Sequence, residues 1–204
     1  MFILGLTGSV GMGKSTVSQH LREHGIPICD ADALVHELYE GDAVAPVEAA
    51  FPGATAAGKV DRQQLSAMLL ADPSGFKRLE AIVHPLVNAA EHECLRAAHD
   101  SGAVLVVLDH PLLMESGKNQ RCDATMVVSA PAEVQRQRVL ARPGMTPAKL
   151  DAILARQMPD ADKCARADFV VDTGISIEQT LAAVDAIVDK LQGQPGAAYA
   201  RHWR

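Results

Sequence analysis

Aromatic side chains are scarce: four Phe, two Tyr and one Trp amount to 3% of 204 residues. Platforms on which the bases of a single strand could stack are hard to assemble from so few rings. Basic charge is short as well, with 19 Lys and Arg against 25 Asp and Glu and a net charge of −6, which argues against a general affinity for nucleic acid or an anionic membrane. The four cysteines, Cys29, Cys94, Cys122 and Cys164, stand too far apart for the close pairs that zinc sites and dithiol redox motifs need. They are expected to be free thiols in a reducing cytosol. No apolar run approaches the ~18 residues of a membrane span, and the opening Met1 to Leu6 lacks the basic region of a secretion signal. The expectation is a soluble, cytoplasmic chain with no nucleic-acid or membrane partner, a monomer being favoured.

What is present is an ordinary globular balance, 48% hydrophobic and 22% charged, enough for one substantial core with a small inserted subdomain. Apolar runs at Phe2–Thr7, Ile26–Cys29, Ala103–Leu108, Ala124–Val128 and Phe169–Val171 read as strands. They alternate with stretches of helical period at about 16–23, 33–40, 132–141 and 175–191. That alternation predicts an α/β fold with a parallel sheet covered on both faces. Periodicity weakens over 41–58, and 61–101 is helical throughout, with a fresh helix expected after Pro85. The residues after Gln192 have little to bury and read as a flexible tail.

The strongest local signal is Gly8-Ser-Val-Gly-Met-Gly13-Lys14-Ser15, the G-x-x-x-x-G-K-[ST] pattern in its required place between a first strand and a first helix. Glycines let the backbone curl so that N–H groups converge on a phosphate, and the helix points its positive end at the same spot. In this reading Gly11, Met12, Gly13, Lys14, Ser15 and Thr16 bind ATP, Lys14 reaches the β- and γ-phosphates, and the Ser15 hydroxyl ligates Mg²⁺. A plain glycine-rich turn between strand and helix is the alternative.

Asp30 and Asp32 follow the second strand, at the edge where open α/β sheets bind ligands. One can orient an acceptor hydroxyl or hold a metal-bound water while the other supports it, with the chemical role given to Asp32; the alternative is that Asp30 or Asp32 merely caps the next helix. Asp109 ends a central strand in the position of an acid that holds Mg²⁺, or else of a turn residue; His110 beside it is given no chemical role. Between 136 and 166 stand Arg136, Arg138, Arg142, Lys149, Arg156, Lys163 and Arg166 against only Asp151, Asp160 and Asp162. This basic stretch in an acidic chain suggests an anion held at one site. Arg142 abuts the Pro143-Gly144 break, as expected of a hinged lid that delivers an arginine to phosphate. Arg138 and Arg156 are weaker candidates, and Arg136, Lys149 and Lys163 fit a solvated helix face.

Taken in order, Leu4 to Thr16, Gly25-Ile-Pro-Ile-Cys-Asp-Ala-Asp32, Leu79-Glu-Ala-Ile-Val-His-Pro-Leu86, Leu108-Asp-His-Pro-Leu-Leu-Met-Glu115 and Arg156-Gln-Met-Pro159 resemble the dephospho-coenzyme A kinase family. The resemblance implies a P-loop NTPase fold with a core at about 1–40, 102–135 and 167–191, a helical substrate-binding insertion at about 41–101, a lid at about 136–166 and a tail at 192–204. It also implies transfer of the ATP γ-phosphate to the ribose 3′-hydroxyl of dephospho-CoA. Asp32 then faces the acceptor hydroxyl, Thr7, His84 and Pro85 contribute to the acceptor side, and Arg142 belongs to the lid. Ser9 and Met12 replace the glycine and small polar residue usual in the family, and their side chains are expected to point away from phosphate. Competing readings are a different P-loop kinase, such as a shikimate or nucleoside monophosphate kinase, an ATPase without an acceptor, and a GTP-dependent switch. The last lacks its Asn-Lys-x-Asp signature, which Lys118-Asn-Gln-Arg-Cys-Asp123 does not supply.

Overall fold

The computed structural model describes residues 1–204. In chain order the elements are β1 (Phe2–Thr7), α1 (Lys14–Glu23), β2 (Ile28–Asp30), α2 (Ala31–Leu38), α3 (Val44–Ala50), β3 (Thr55–Ala56), β4 (Lys59–Val60), α4 (Arg62–Ala71) and α5 (Gly75–Asp100). They continue with β5 (Leu105–Asp109), a single 3₁₀ turn at Lys118–Arg121, β6 (Ala124–Ser129), α6 (Ala132–Leu140), α7 (Pro147–Leu154), α8 (Asp160–Arg166), β7 (Phe169–Asp172), α9 (Ile177–Gln192) and α10 (Ala198–His202). The main sheet has the order β2-β5-β1-β6-β7. β1 pairs in parallel with β5 and β6, and β6 with β7. No helix is long and apolar enough to cross a membrane.

Every residue of β1 and of β5 is buried, as continuous apolar runs in a doubly covered parallel sheet should be. One compact unit comprises Met1–Cys29 and Leu95–Arg204. Its main core gathers Leu4, Leu6, Val107, Met126, Val128 and Val171 from one face of the sheet with Val17 and Leu21 of α1 and Val184 of α9. The second unit, Asp30–Cys94, has its own core of Leu38, Val47, Phe51, Val60, Leu65, Leu69, Val83 and Val87.

Four expectations need correction. The weakly patterned 41–58 stretch, with Lys59 and Val60 after it, folds as α3 and a β3–β4 hairpin, ordered in part by Glu48, whose carboxylate accepts hydrogen bonds from Gly53 N–H, Thr55 N–H and the Thr55 hydroxyl. Pro85 starts no new helix: α5 runs through it for 26 residues, because Leu79, Ile82, Val83, Leu86 and Val87 keep one apolar stripe across the proline and pack on the second core. The tail is anchored. Asp123 accepts the N–H groups of Ala197 and Ala198 at 2.6 and 2.8 Å, Trp203 is 1% exposed, and its indole N–H donates to the Arg121 carbonyl. Finally, Cys29 and Cys94 are disulfide-bonded, whereas Cys122 and Cys164 are thiols outside any disulfide. A disulfide depends on approach in space, which sequence separation does not report.

The boundary between the units also differs from the expected one. The last part of α5, with Leu95 and Ala98 buried, belongs to the first unit, as do all residues of the expected lid.

Candidate functional site

The turn between β1 and α1 is shaped by glycines that nothing else could replace. Gly11 and Gly13 have φ of 80° and 84°, the left-handed region that side chains disfavour. A Cβ on Gly11 would also run into Val139, and one on Gly8 into Val128. The curled loop leaves the N–H groups of Gly11, Gly13, Lys14 and Ser15 without any acceptor in the protein. With the orphan donors of the α1 N-terminus, they form a nest for an anion.

Two glutamines, silent in the sequence, clamp this loop. The Gln157 side-chain oxygen accepts the Val10 N–H at 3.1 Å, and the Gln135 amide donates to the Val10 carbonyl at 2.8 Å. Met12 faces inward as expected: it is 2% exposed, and its sulfur accepts the Ala130 N–H. Its carbonyl accepts the Thr173 hydroxyl at 2.8 Å, and Arg138 in turn donates to the Thr173 carbonyl at 2.7 Å. Ser9 is buried too. The loop is therefore rigid in the free protein.

Lys14 Nζ donates to Asp109 Oδ1 at 2.6 Å. Asp109, at the end of β5, is 1% exposed, so this pair joins a buried acid to the only ammonium of the nest. Ser15 and Thr16 are exposed in the first turn of α1. The Ser15 hydroxyl and the Asp109 carboxylate are hard oxygen donors of the kind Mg²⁺ takes. Thr7 is another matter: it is fully buried, and its hydroxyl donates to the Pro111 carbonyl at 3.1 Å. It thus tethers the segment after β5 rather than facing a ligand. His110 has a local role, its Nδ1 accepting the Leu112 N–H.

The basic stretch separates into bound and free cations. Arg138 is held by Thr173. Lys163, expected on a solvated face, is fully buried and pairs with Glu115 at 3.0 Å. Burial pushes the Glu115 carboxyl up, but the Met158 N–H and Lys163 outweigh it and hold the group below the ordinary carboxylate value. Asp160 accepts the Ser129 hydroxyl at 2.5 Å, so α8 is latched at its first residue and at its middle. Cys164, beside Asp160, is raised by burial first and by that carboxylate second. Arg142, in contrast, is exposed and makes no side-chain bond, and Gly144 beyond it has φ of 72°. Thr146 caps α7 through the Lys149 N–H with Pro147 in the first turn, as its sequence predicts.

In the second unit, Asp30 is the cap of α2, its Oδ1 accepting the N–H groups of Asp32 and Ala33 at 3.1 and 3.2 Å. Asp32, in the first helical turn, is exposed and its carboxylate is not consumed by capping. His84 and Pro85 are exposed on α5, on the side away from Val83 and Val87. The structure thus brings Lys14 and Asp109 together in the first unit, with Ser15 next to Lys14 in the first turn of α1, and in the second it leaves Asp32 and His84 presented to solvent.

A family model described as dephospho-CoA kinase matches residues 2–179. The chain is 54% identical to a protein named dephospho-CoA kinase from Mesorhizobium japonicum, over 97% of this chain and 100% of that one. It is 53% identical to a dephospho-CoA kinase from Rhodopseudomonas palustris, over 96% and 98%. A crystal structure of a Thermus thermophilus protein is 36% identical, with a TM-score of 0.81 over 94% of this chain and 98% of that one. A shikimate kinase from Bacteroides thetaiotaomicron, 14% identical with a TM-score of 0.51 over 94% and 98%, shares the fold alone. The sheet order, the phosphate-binding turn and these matches over nearly the full length agree, and the chain belongs to the dephospho-CoA kinase family.

Proposed function

We propose that this chain transfers the γ-phosphoryl group of ATP to the ribose 3′-hydroxyl of dephospho-CoA, giving ADP and coenzyme A, the final step of coenzyme A synthesis. The observation that carries the reading is the nest of free N–H groups around Lys14, with Lys14 parked on Asp109. Phosphate oxygens take up the free N–H donors of Gly11, Gly13, Lys14 and Ser15, and the Lys14 ammonium exchanges Asp109 for the oxygens between the β- and γ-phosphates. Ser15 and Asp109 are the residues that would hold Mg²⁺, which when bound neutralises phosphate charge. Asp32 accepts the proton of the attacking 3′-hydroxyl as the new oxygen–phosphorus bond forms and the bond to the ADP oxygen breaks. Arg142, whose guanidinium has no partner to leave behind, stabilises charge on the transferring group through its planar fork. Its place between the end of α6 and the Gly144 turn fits a hinge within the lid at about 136–166. His84 and Pro85 line the acceptor side, while Thr7 supports the segment after β5.

The acidic balance of the chain supports action without nucleic acid or an anionic membrane as partner. ADP release over a panel of dephospho-CoA, AMP, CMP and shikimate tests the reading. Turnover is expected with dephospho-CoA and only background with the rest; equal release without any acceptor would make the chain an ATPase.

A further inference from the structure

The far end of α1 carries a second group of ligating side chains, which phosphoryl transfer does not use. His20 and His24 stand four residues apart, the spacing that puts two imidazoles on one helix face toward a common ion. Asp185 of α9 reaches the same point. His20 Nε2 is 2.6 Å from Asp185 Oδ1, the two imidazole rings are 4.2 Å apart, and one ligating atom from each of the three residues lies within 4.8 Å of the others.

The tautomer of His24 supplies an independent observation. Its Nδ1 lies 2.9 Å from the His20 carbonyl oxygen. A carbonyl can only accept, so Nδ1 carries a hydrogen, and in the neutral ring the lone pair is then on Nε2. A ring nitrogen donating to a backbone carbonyl while the other stays free is the arrangement that orients metal-bound histidines. The cluster is also reachable. His24 is exposed, Asp185 is 46% exposed, and His20 and Glu23 line a groove of about 420 Å³ between α1 and α9.

We propose that His20, His24 and Asp185 form a binding site for a divalent transition-metal ion of the Zn²⁺ class. Two imidazole nitrogens and one carboxylate oxygen are a three-ligand set that leaves one position for water. Imidazole favours Zn²⁺, Ni²⁺ or Cu²⁺ over the oxygen-seeking Mg²⁺ and Ca²⁺, so this site does not compete for the ion held near phosphate. On binding, the hydrogen between His20 Nε2 and Asp185 leaves that contact, a neutral His20 ring carrying its one hydrogen on Nδ1 instead, and Nε2 and the carboxylate oxygen both become ligands. They must separate from 2.6 Å to about 3.4 Å, the spacing set by bonds of about 2.1 Å at a tetrahedral angle. The ion would pin the end of α1, the helix whose first turn carries Lys14 and Ser15, to α9.

The test titrates the full chain, free of nucleotide, with Zn²⁺ by calorimetry and with Co²⁺ by visible absorption, and reads the thermal midpoint with and without Zn²⁺. The expected result is one equivalent bound, a Co²⁺ spectrum of nitrogen and oxygen coordination without a thiolate charge-transfer band, and a raised midpoint. His24→Gln and Asp185→Asn, both at accessible positions that leave the core intact, are expected to weaken Zn²⁺ binding at least about 10-fold and remove the midpoint shift. The proposal is overturned if no Zn²⁺ binds, if a thiolate band shows the metal on Cys122 or Cys164, or if both variants bind as tightly as the parent chain.

Discussion

Between Arg142 and Lys149 the chain faces solvent, and its arginine makes no bond to the protein; between Gln157 and Lys163 the same basic stretch turns inward. There Gln157 holds Val10, Met158 N–H and Lys163 meet Glu115, and Asp160 meets Ser129. The second unit repeats the contrast on a smaller scale, where Asp30 is spent on capping α2 while Asp32, two residues on, is left open. Residues of one type in one stretch thus divide into those consumed by the frame and those available to a ligand. Charge counted along the sequence cannot make that division, because a bound cation and a free one look alike until their partners are in place.

The largest effect is expected where a free carboxylate is replaced beside a bound one. Asp32→Asn should keep ATP affinity and lose about 10²–10⁴-fold in turnover, because an amide cannot take the hydroxyl proton. Asp30→Asn should cost under about 1 kcal/mol of stability through a weaker cap and little turnover. Reversed outcomes in turnover and thermal melts would exchange the two roles.

Lys14 stands between the classes, paired with Asp109 and, in the proposed mechanism, handed over to phosphate. Lys14→Ala should lower turnover by about 10²–10³-fold. It should also lower the midpoint of the nucleotide-free protein, since Asp109 is left buried without its ammonium. Turnover near that of the parent chain in a steady-state assay would sink the phosphate-loop reading.

On the bound side, Glu115→Gln strands the buried Lys163 and should cost about 3 kcal/mol in denaturant melts at neutral pH. The pH dependence has a definite sign. The folded Glu115 carboxyl titrates below its ordinary value of 4.5, so its contribution is complete above about 4.5 and is lost as pH falls through the lowered value. The parent chain should lose midpoint in that acid window, and Glu115→Gln should lose less.

The five strands, the phosphate loop, the Thr146 cap and the Asp30–Asp32 pair were legible because each rests on local spacing: continuous apolar runs, glycines at fixed offsets, a cap before a proline. The Gln135 and Gln157 clamps were not. A side-chain amide meeting a backbone group across 125 or 147 positions leaves no periodic trace. The motif Arg156-Gln-Met-Pro159 marks the segment, but nothing in its residue types says that its glutamine holds the loop. The tail was misjudged because one tryptophan supplies its anchor: Trp203, with Arg121 stacked 3.8 Å over its ring, buries enough surface to fix five helical residues. The buried Lys163 was hidden by its resemblance to surface lysines, and only its contact with Glu115 distinguishes it.

The division between free and bound cations is tested most directly by measuring turnover and thermal midpoint together for Arg142→Lys and Lys163→Met. The account predicts that Arg142→Lys loses at least about 10-fold in turnover with an unchanged midpoint, since a point charge replaces a bidentate fork at an exposed position. Lys163→Met should shift the midpoint while the enzyme that remains folded turns over at close to the parent rate. Near-normal turnover for Arg142→Lys, or a loss of turnover in folded Lys163→Met as large as that expected for Arg142→Lys, would contradict it.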